Sequence, residues 1–367
     1  MGAMKTDTTN VSTASGKACV PSAGKPASAG KRFARQHFCL LVLGFLGIAA
    51  CVIALGVGRY PLAPLDALTI LAQSMVGVPS SYDTVAVNTV MNTRLPRVIA
   101  AFLIGAALAE SGAAYQGIFK NPMVSPDLLG VSEGACVGAA LGILMGASSL
   151  VIQVFAFVFA LIAVGCAVLI PKLFRNGSVL MLVLAGIVVS GFMTSVLGFM
   201  KFIADPNGQL ADIVFWTMGS LNGIQKERLW VCAPVMIASG AVLFALRWRI
   251  NAMSLTDAQA HYLGVNVARM RGVVILCATL ATASAVCLSG TIGWIGLVVP
   301  HMSRLVVGSD NRFVVPASIL FGGLFLLVAD TLARCLSQMS IPISIITGIV
   351  GAPLFVILLF KQRRTVC

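Results

Sequence analysis

The sequence predicts an all-α, polytopic membrane protein of about ten transmembrane helices, and three observations carry that prediction. Of the 367 residues, 58% are hydrophobic and only 10% charged, with a mean hydropathy of +0.97, so the chain cannot shelter its apolar surface from water on its own. Apolar runs of the ~20 residues that cross a bilayer recur from Phe38 to Phe360. The polar breaks between them are short and hold most of the lysines and arginines. A net charge of +13 distributed in this way expresses topology and argues against a nucleic-acid partner.

Residues 1–36 are rich in Ser, Thr, Ala, Gly and Lys and lack hydrophobic periodicity, which predicts a disordered basic cytoplasmic tail. The membrane domain is expected over 37–361, with 362–367 as a cytoplasmic end. The first apolar run begins near His37 and is long enough to stay in the bilayer, so no signal cleavage is expected. Ile48-Ala49-Ala50-Cys51 imitates a lipoprotein box but lies deep inside that run, where a small residue in a helix is the simpler reading.

Spans then fall near 37–57, 98–118, 128–147, 150–170, 179–199, 229–248, 272–288, 293–304, 314–336 and 343–360. The eighth, Gly293 to Arg304, is too short to cross as a straight helix and carries Pro300. It is expected to be a broken, half-spanning element enclosed by protein. With the amino terminus inside, the inner loops receive Lys120, Lys172, Arg175, Arg247, Arg249, Arg269, Arg271, Arg304, Arg312, Lys361, Arg363 and Arg364. The outer loops receive only Arg59, Arg94, Arg97, Lys201, Lys226, Arg228 and Arg334, which places both termini in the cytoplasm. The ten cysteines form no C-x-x-C pair and behave as small hydrophobes, predicting neither a zinc site nor a disulfide framework.

Gly134, Gly138, Gly142 and Gly146 recur every four residues, a bare stripe on which another helix packs closely. The chain contains no G-x-x-x-x-G-K-[ST], so it binds no ATP through a P-loop of its own. No paired carboxylates or metal-ligand cluster suggests an enzyme. Glu110, midway along the second span, is costly at that depth. It either lines a polar cavity, couples to protons or is satisfied by a neighbouring helix. Asp330 and Arg334, four apart, fit one helical turn and pair on one face. Arg94-Leu95-Pro96-Arg97 sets two guanidinium forks at the outer mouth of the second span, suited to partner carboxylates, or else to interfacial snorkelling. On the inner side, Asn251 to Met270 is polar, with Thr256 or Ser254 as a helix cap and Gly264 as a stop, and predicts a short helix able to act as a lever.

These residues also carry a family resemblance. Arg94-Leu95-Pro96-Arg97, Gly105 to Ala109, Ser111-Gly112, Gln116, Asn121-Pro122-Met123, Pro126, Leu129 to Ser132 and Gly134-Ala135 resemble the amino-terminal signature of the FecCD permeases. Gly290 to His301, Arg304, Gly308, Asp330, Arg334, Pro342 and Gly351-Ala352-Pro353 agree in the second half, and Trp216 with Gly219-Ser220-Leu221 between spans five and six. The resemblance implies a type II ABC importer permease in the bacterial inner membrane. It would work as a homodimer, with two ATPase subunits that bind ATP and Mg beneath it. A periplasmic or lipid-anchored substrate-binding protein would sit above, and the cargo would be a metal chelate such as an iron siderophore, haem or vitamin B12. By the same resemblance, Arg94, Arg97 and Arg334 dock the binding protein, and the stretch around 251–268 forms the coupling helices, with Ser254, Asp257, Ala260, Leu263 and Gly264 at the ATPase. Glu110, Gln116, Asn121, Pro122, Ser340, Pro342 and Ser344 are pathway or gate candidates. Two departures stand out: Ser340-Ile341-Pro342-Ile343-Ser344 replaces the family's usual Glu-x-Pro-x-Gly, and Glu110 replaces an apolar or small residue. His301 is expected to be structural. The rival reading is a proton-coupled secondary transporter built on Glu110.

Overall fold

The computed structural model describes residues 29–58, 60–174, 178–336 and 341–366, and every regular element among them is helical. In order these are α1 (Ala29–Gly56), α2 (Pro64–Val76), α3 (Thr84–Asn88), α4 (Leu95–Phe119), α5 (Val131–Leu144), α6 (Ser149–Leu173) and α7 (Val179–Ile203). There follow α8 (Gln209–Met218), α9 (Lys226–Met253), α10 (Asp257–Tyr262), α11 (Val267–Ser289), α12 (Ile295–Val307), α13 (Asn311–Leu336) and α14 (Ile343–Val366). A wide helical turn, Thr89–Arg94, joins α3 to α4 without a break.

Among the described residues, seven helices are long and apolar enough to cross a membrane: α1, the continuous Thr84–Phe119 helix that ends in α4, α6, α7, α9, α11 and α13. The shorter apolar helices α5, α12 and α14 lie on the remaining three predicted segments. α12 is the half-spanning element expected from its sequence: 13 residues reach only about 20 Å at ~1.5 Å per residue. It starts at Trp294, whose φ of 74° is rare for a residue with a side chain. Gly348 and Gly351 of α14 leave room for that indole; a Cβ on Gly351 would lie 2.8 Å from Trp294 Cβ.

The bundle is built around α4. Its residues are apolar or small on every face, and such a helix belongs inside; 83% of its most apolar stretch is buried, against 22% for α1 and 28% for α7. Glycines let it come close to its neighbours: a Cβ at Gly105 would collide with the carbonyl of Gly322 on α13, and one at Gly112 with that of Gly296 on α12. α11, rich in Ala, Ser and Thr between Ala278 and Ala285, is the second buried helix. The outer faces of α1, α6, α7 and α9 keep large apolar side chains exposed, as a lipid-facing surface requires.

Four sequence expectations are corrected. α1 begins at Ala29, so residues 29–36 extend the first apolar helix instead of belonging to a disordered tail. They are held along the bundle because Gln36 Nε2 donates to the Val307 carbonyl at 2.6 Å and Phe33 meets Phe313 edge-on at 5.6 Å. Residues 1–28 lie outside the described residues, as do Arg59, Arg175 and Ser340. At the other end, α14 continues to Val366, through most of the stretch read as a separate cytoplasmic end. The glycine stripe stops early: Gly134, Gly138 and Gly142 face α6, but α5 ends at Leu144 and Gly146 sits beyond it at a φ of 64° with no atom near its Cβ position. Gly146 closes the helix, donating to the Ile143 carbonyl, and is no packing residue. Finally, the 58–97 segment, to which the sequence assigns no span, contains α2, started by Pro64 and stopped by Gly77, with Ala67 and Ile70 buried.

Candidate functional site

The predicted inner lever is α10. Thr256 caps it, its side chain accepting from Gln259 N at 3.3 Å while Gln259 Oε1 accepts from Thr256 N at 3.1 Å, a complete capping box. Gly264, at a φ of 76°, ends it, and Asn266 then caps α11 by accepting from Arg269 N at 3.0 Å. Two cations fasten the helix to the bundle: Lys120 Nζ, at the end of α4, lies 2.6 Å from Asp257 Oδ1, and Arg271 Nη2 of α11 lies 3.6 Å from Oδ2. The Lys120 hydrogen bond, with the charges of Lys120 and Arg271, holds the Asp257 carboxyl below its usual range. Lys120 can reach it because α4 ends there in a left-handed turn, with φ 52°.

The far side of α10 is open. Tyr262 is 89% and Leu263 63% exposed, beside exposed Leu255, Ser254 and Gly264. Behind the helix a groove of about 960 Å³ runs between α9 and α11, lined by Leu255, Leu263, Met270 and Val273 together with Arg249 and Arg269. Ala260 is corrected: it is 1% exposed and faces into the bundle, so it cannot touch a partner. Ser254 donates to the Asn251 carbonyl at 2.6 Å and serves the end of α9. Tyr262 was missed from sequence, although an aromatic directly before the Leu263-Gly264 stop was the available signal.

At the opposite end the three predicted docking arginines converge, but inward. Asp330, fully buried, accepts from Arg97 Nε at 3.0 Å and is ion-paired with Arg97 Nη2 at 2.8 Å and Arg334 Nε at 3.2 Å. Arg97 Nη1 also donates to Asn222 Oδ1 at 2.7 Å. Arg334 reaches the carbonyls of Ala54 and Val57 at 3.4 and 3.3 Å. Arg94 is 4% exposed and donates to the carbonyls of Leu55, Gly56 and Tyr60 at 2.9, 2.7 and 2.5 Å, closing the end of α1. The forks therefore bind this chain's own carboxylate and carbonyls, and Arg94 is no free docking group. Of the three, Arg97 borders an open cleft of about 400 Å³, which it shares with Asn92, Asn222 and Lys226.

Beside this cluster, three chain segments are tied together. Ser220 N donates to the Ser289 carbonyl at 2.7 Å, Thr291 Oγ1 to the Thr217 carbonyl at 2.6 Å, Ile343 N to the Gly219 carbonyl at 3.0 Å, and Ser344 Oγ to the Thr291 carbonyl at 2.5 Å. Pro342, half-buried, leads into this knot. Ser344 thus fastens α14 to the loop before α12, an interaction that a glycine at that position would lack.

The remaining pathway candidates do not line one channel in this chain. Glu110 is 4% exposed between α4 and α9; Gly240 leaves the space for it, since a Cβ there would lie 2.8 Å from Glu110 Oε2. Its Oε1 meets no hydrogen-bond donor among the described residues. Gln116 bridges α4 to α12, accepting from Arg304 Nη1 and donating to the Leu297 carbonyl at 3.3 Å. Asn121 and Pro122 are exposed in the turn after α4, where Asn121 Oδ1 accepts from Met123 N at 2.9 Å. His301 is buried against Phe355, ring centroids 6.0 Å apart.

A lipid-facing bundle around a glycine-lined central helix, with a half-spanning helix inside and a short capped helix clipped to it at one end, is the body of a membrane permease. The FecCD transport family profile matches residues 45–361, and the chain belongs to that family. It is 36% identical to the molybdate import system permease protein MolB of Haemophilus influenzae over 325 residues, covering 89% of this chain and 96% of that one. It is 42% identical over 275 residues to a Helicobacter pylori protein described as a probable iron chelatin transport system permease, 75% of this chain and 83% of the other. Among solved structures it matches an inward-facing metal-chelate type ABC transporter with a TM-score of 0.79 and 36% identity, covering 88% of this chain and 99% of that one. The protein is accordingly an ABC-importer permease.

Proposed function

We propose that two copies of this chain form the import path for an iron chelate, siderophore or haem, in the bacterial inner membrane, with α10 and both termini on the cytoplasmic side. The observation that carries the reading is α10 itself: a helix of 6 residues, capped at both ends and clipped to α4 and α11 by Lys120 and Arg271, yet presenting Tyr262 and Leu263 to solvent. A rigid lever with an apolar outer face suits insertion into a cleft of a soluble ATPase subunit, which supplies the P-loop this chain lacks and binds ATP and Mg. Closure of two such subunits would move α10, and through it α4, α9 and α11, between states that differ in affinity for cargo.

The substrate-binding protein docks at the other end, over the cleft that Arg97 and Lys226 line, with Arg94 and Arg334 supporting that surface from beneath. The iron chelate is favoured by the relative at 42% identity; the MolB relative supports a second cargo, molybdate, and cobalamin is a further alternative. Titration of the cognate binding protein with ferric chelates, haem, cobalamin and molybdate separates these. The lever is tested by L263D combined with Y262D, both on an exposed surface. Co-purification of the ATPase subunit and ATP-driven uptake are expected to be lost while the permease keeps its elution profile. An unaltered complex would contradict the assignment.

A further inference from the structure

On the perimeter of the bundle, at the α10 end, a groove of about 620 Å³ opens between α1, α9 and α13. His37 of α1, Arg247 of α9 and Arg312 of α13 line it, interleaved with Phe33, Trp248 and Phe313. Helix length places it at the edge of the hydrocarbon layer. The 28 residues of α1 extend about 42 Å, more than the ~30 Å core of a bilayer. The surplus lies at the amino-terminal end, where residues 29–36 precede the apolar run. Arg247 and Trp248 stand in the last two turns of α9, and Arg312 in the first turn of α13. Trp248 is 61% exposed, in the manner of an interfacial anchor.

The cations are arranged, not scattered. Arg312 stacks over the Trp248 ring at 4.5 Å and is aimed by Asp310, Nε donating to Oδ1 at 3.0 Å and to Oδ2 at 2.8 Å and Nη2 to Oδ2 at 2.5 Å. Arg247 lies over Phe244 at 4.0 Å and donates to the Phe244 carbonyl at 2.8 Å, and no carboxylate among the described residues pairs with it. His37 is sandwiched by Phe33 at 4.3 Å and Phe313 at 5.4 Å. Asp310, paired with Arg312, is not among the residues lining the groove, so Arg247 remains as a positive charge in a half-apolar cleft at headgroup depth.

We propose that this groove seats the phosphate of an anionic phospholipid, with Arg247 and Arg312 taking the phosphate oxygens and the aromatic rings taking the glycerol and upper acyl chain. Basic pockets between membrane helices bind lipid headgroups through this combination of fixed charge and apolar wall. Bidentate guanidinium contact with phosphate supplies the selectivity over zwitterionic lipid. An anionic lipid there would clip α1 to α9 and α13, joining at the membrane edge three helices that converge on the lever end.

The test is native mass spectrometry of the full-length permease titrated with cardiolipin or phosphatidylglycerol, and with phosphatidylcholine as the zwitterionic control. R247Q/R312Q is expected to lower retention of anionic lipid by about tenfold or more, whereas R249Q, two residues further along α9 and so about 200° round the helix, outside the groove, leaves it unchanged. Excess inorganic phosphate is expected not to displace the lipid. Equal loss in R249Q, displacement by phosphate, or full retention by R247Q/R312Q would each overturn the proposal. Should the double variant not fold, R247Q alone with W248A in parallel reads the same site. Cross-linking that finds a second permease copy or an ATPase subunit seated in the groove, with no lipid retained, would also overturn it.

Discussion

Asp330 is one carboxylate holding two guanidinium groups in a fully buried position, with Arg94 a third cation close by. Removing one member of a buried charge group leaves the others unpaired, which costs ~3–5 kcal/mol. D330N is therefore expected to lower the thermal unfolding midpoint of the detergent-solubilised permease markedly, and an unchanged midpoint would show that the cluster is dispensable. Asp257 behaves differently because its side chain is 60% exposed. Its carboxyl is held down chiefly by the Lys120 hydrogen bond, so the tether is fully present above the ordinary carboxylate pKa and is lost as pH falls through the lowered one. An exposed pair contributes about 0–1 kcal/mol. Hydrogen exchange across residues 257–262, corrected for intrinsic rates, is expected to be flat from about pH 6 to 8 and to rise only below about pH 4. The i, i+4 spacing made the Asp330–Arg334 pair legible from the chain alone. Arg97, 233 positions from Asp330, and Lys120, 137 from Asp257, carry no local signal, because only the fold brings them together.

At the scale of elements, apolar run length and breakers were sufficient to find the membrane helices, including the short α12 with its Pro300. They failed where apolar length is not what makes the helix. α2 and α8 are too short for a span, and Gly146 continued a four-residue period after the helix carrying it had ended. α10 was legible because capping residues declare themselves: the sequence offered Thr256 or Ser254 as the cap and Gly264 as the stop, and the structure selects Thr256, with Gln259 completing the box. The capping box also supplies the prediction at this level. T256A removes one cap and is expected to cost ~1 kcal/mol of local helix stability. On the proposed function, ATP-driven uptake falls while cargo binding by the isolated substrate-binding protein is untouched. Wild-type coupling in T256A, with hydrogen exchange confirming a frayed α10, would mean that the lever need not be rigid.

The molecule as a whole is a central helix with its ends differently finished. α4 runs from the arginine cluster to Lys120, in close contact with α13 and α12 through Gly105 and Gly112, so a displacement of α10 is passed to a helix that reaches the far end. Sequence motifs located both ends. They set the forks of Arg94 and Arg97 at an outer mouth, and the fold turns these two, together with the Asp330–Arg334 pair, into an internal tie of α1, α4 and α13. Glu110, the alternative centre of a self-driven transporter, sits between α4 and α9, its Oε1 without a hydrogen-bond partner among the described residues. The measurement that separates the accounts is cargo uptake into proteoliposomes holding the permease with or without its ATPase subunits, supplied with loaded binding protein. Uptake that requires the ATPase subunits and ATP, and that survives E110Q, is the predicted result. Uptake by the permease alone, driven by a pH gradient and abolished by E110Q, would contradict it.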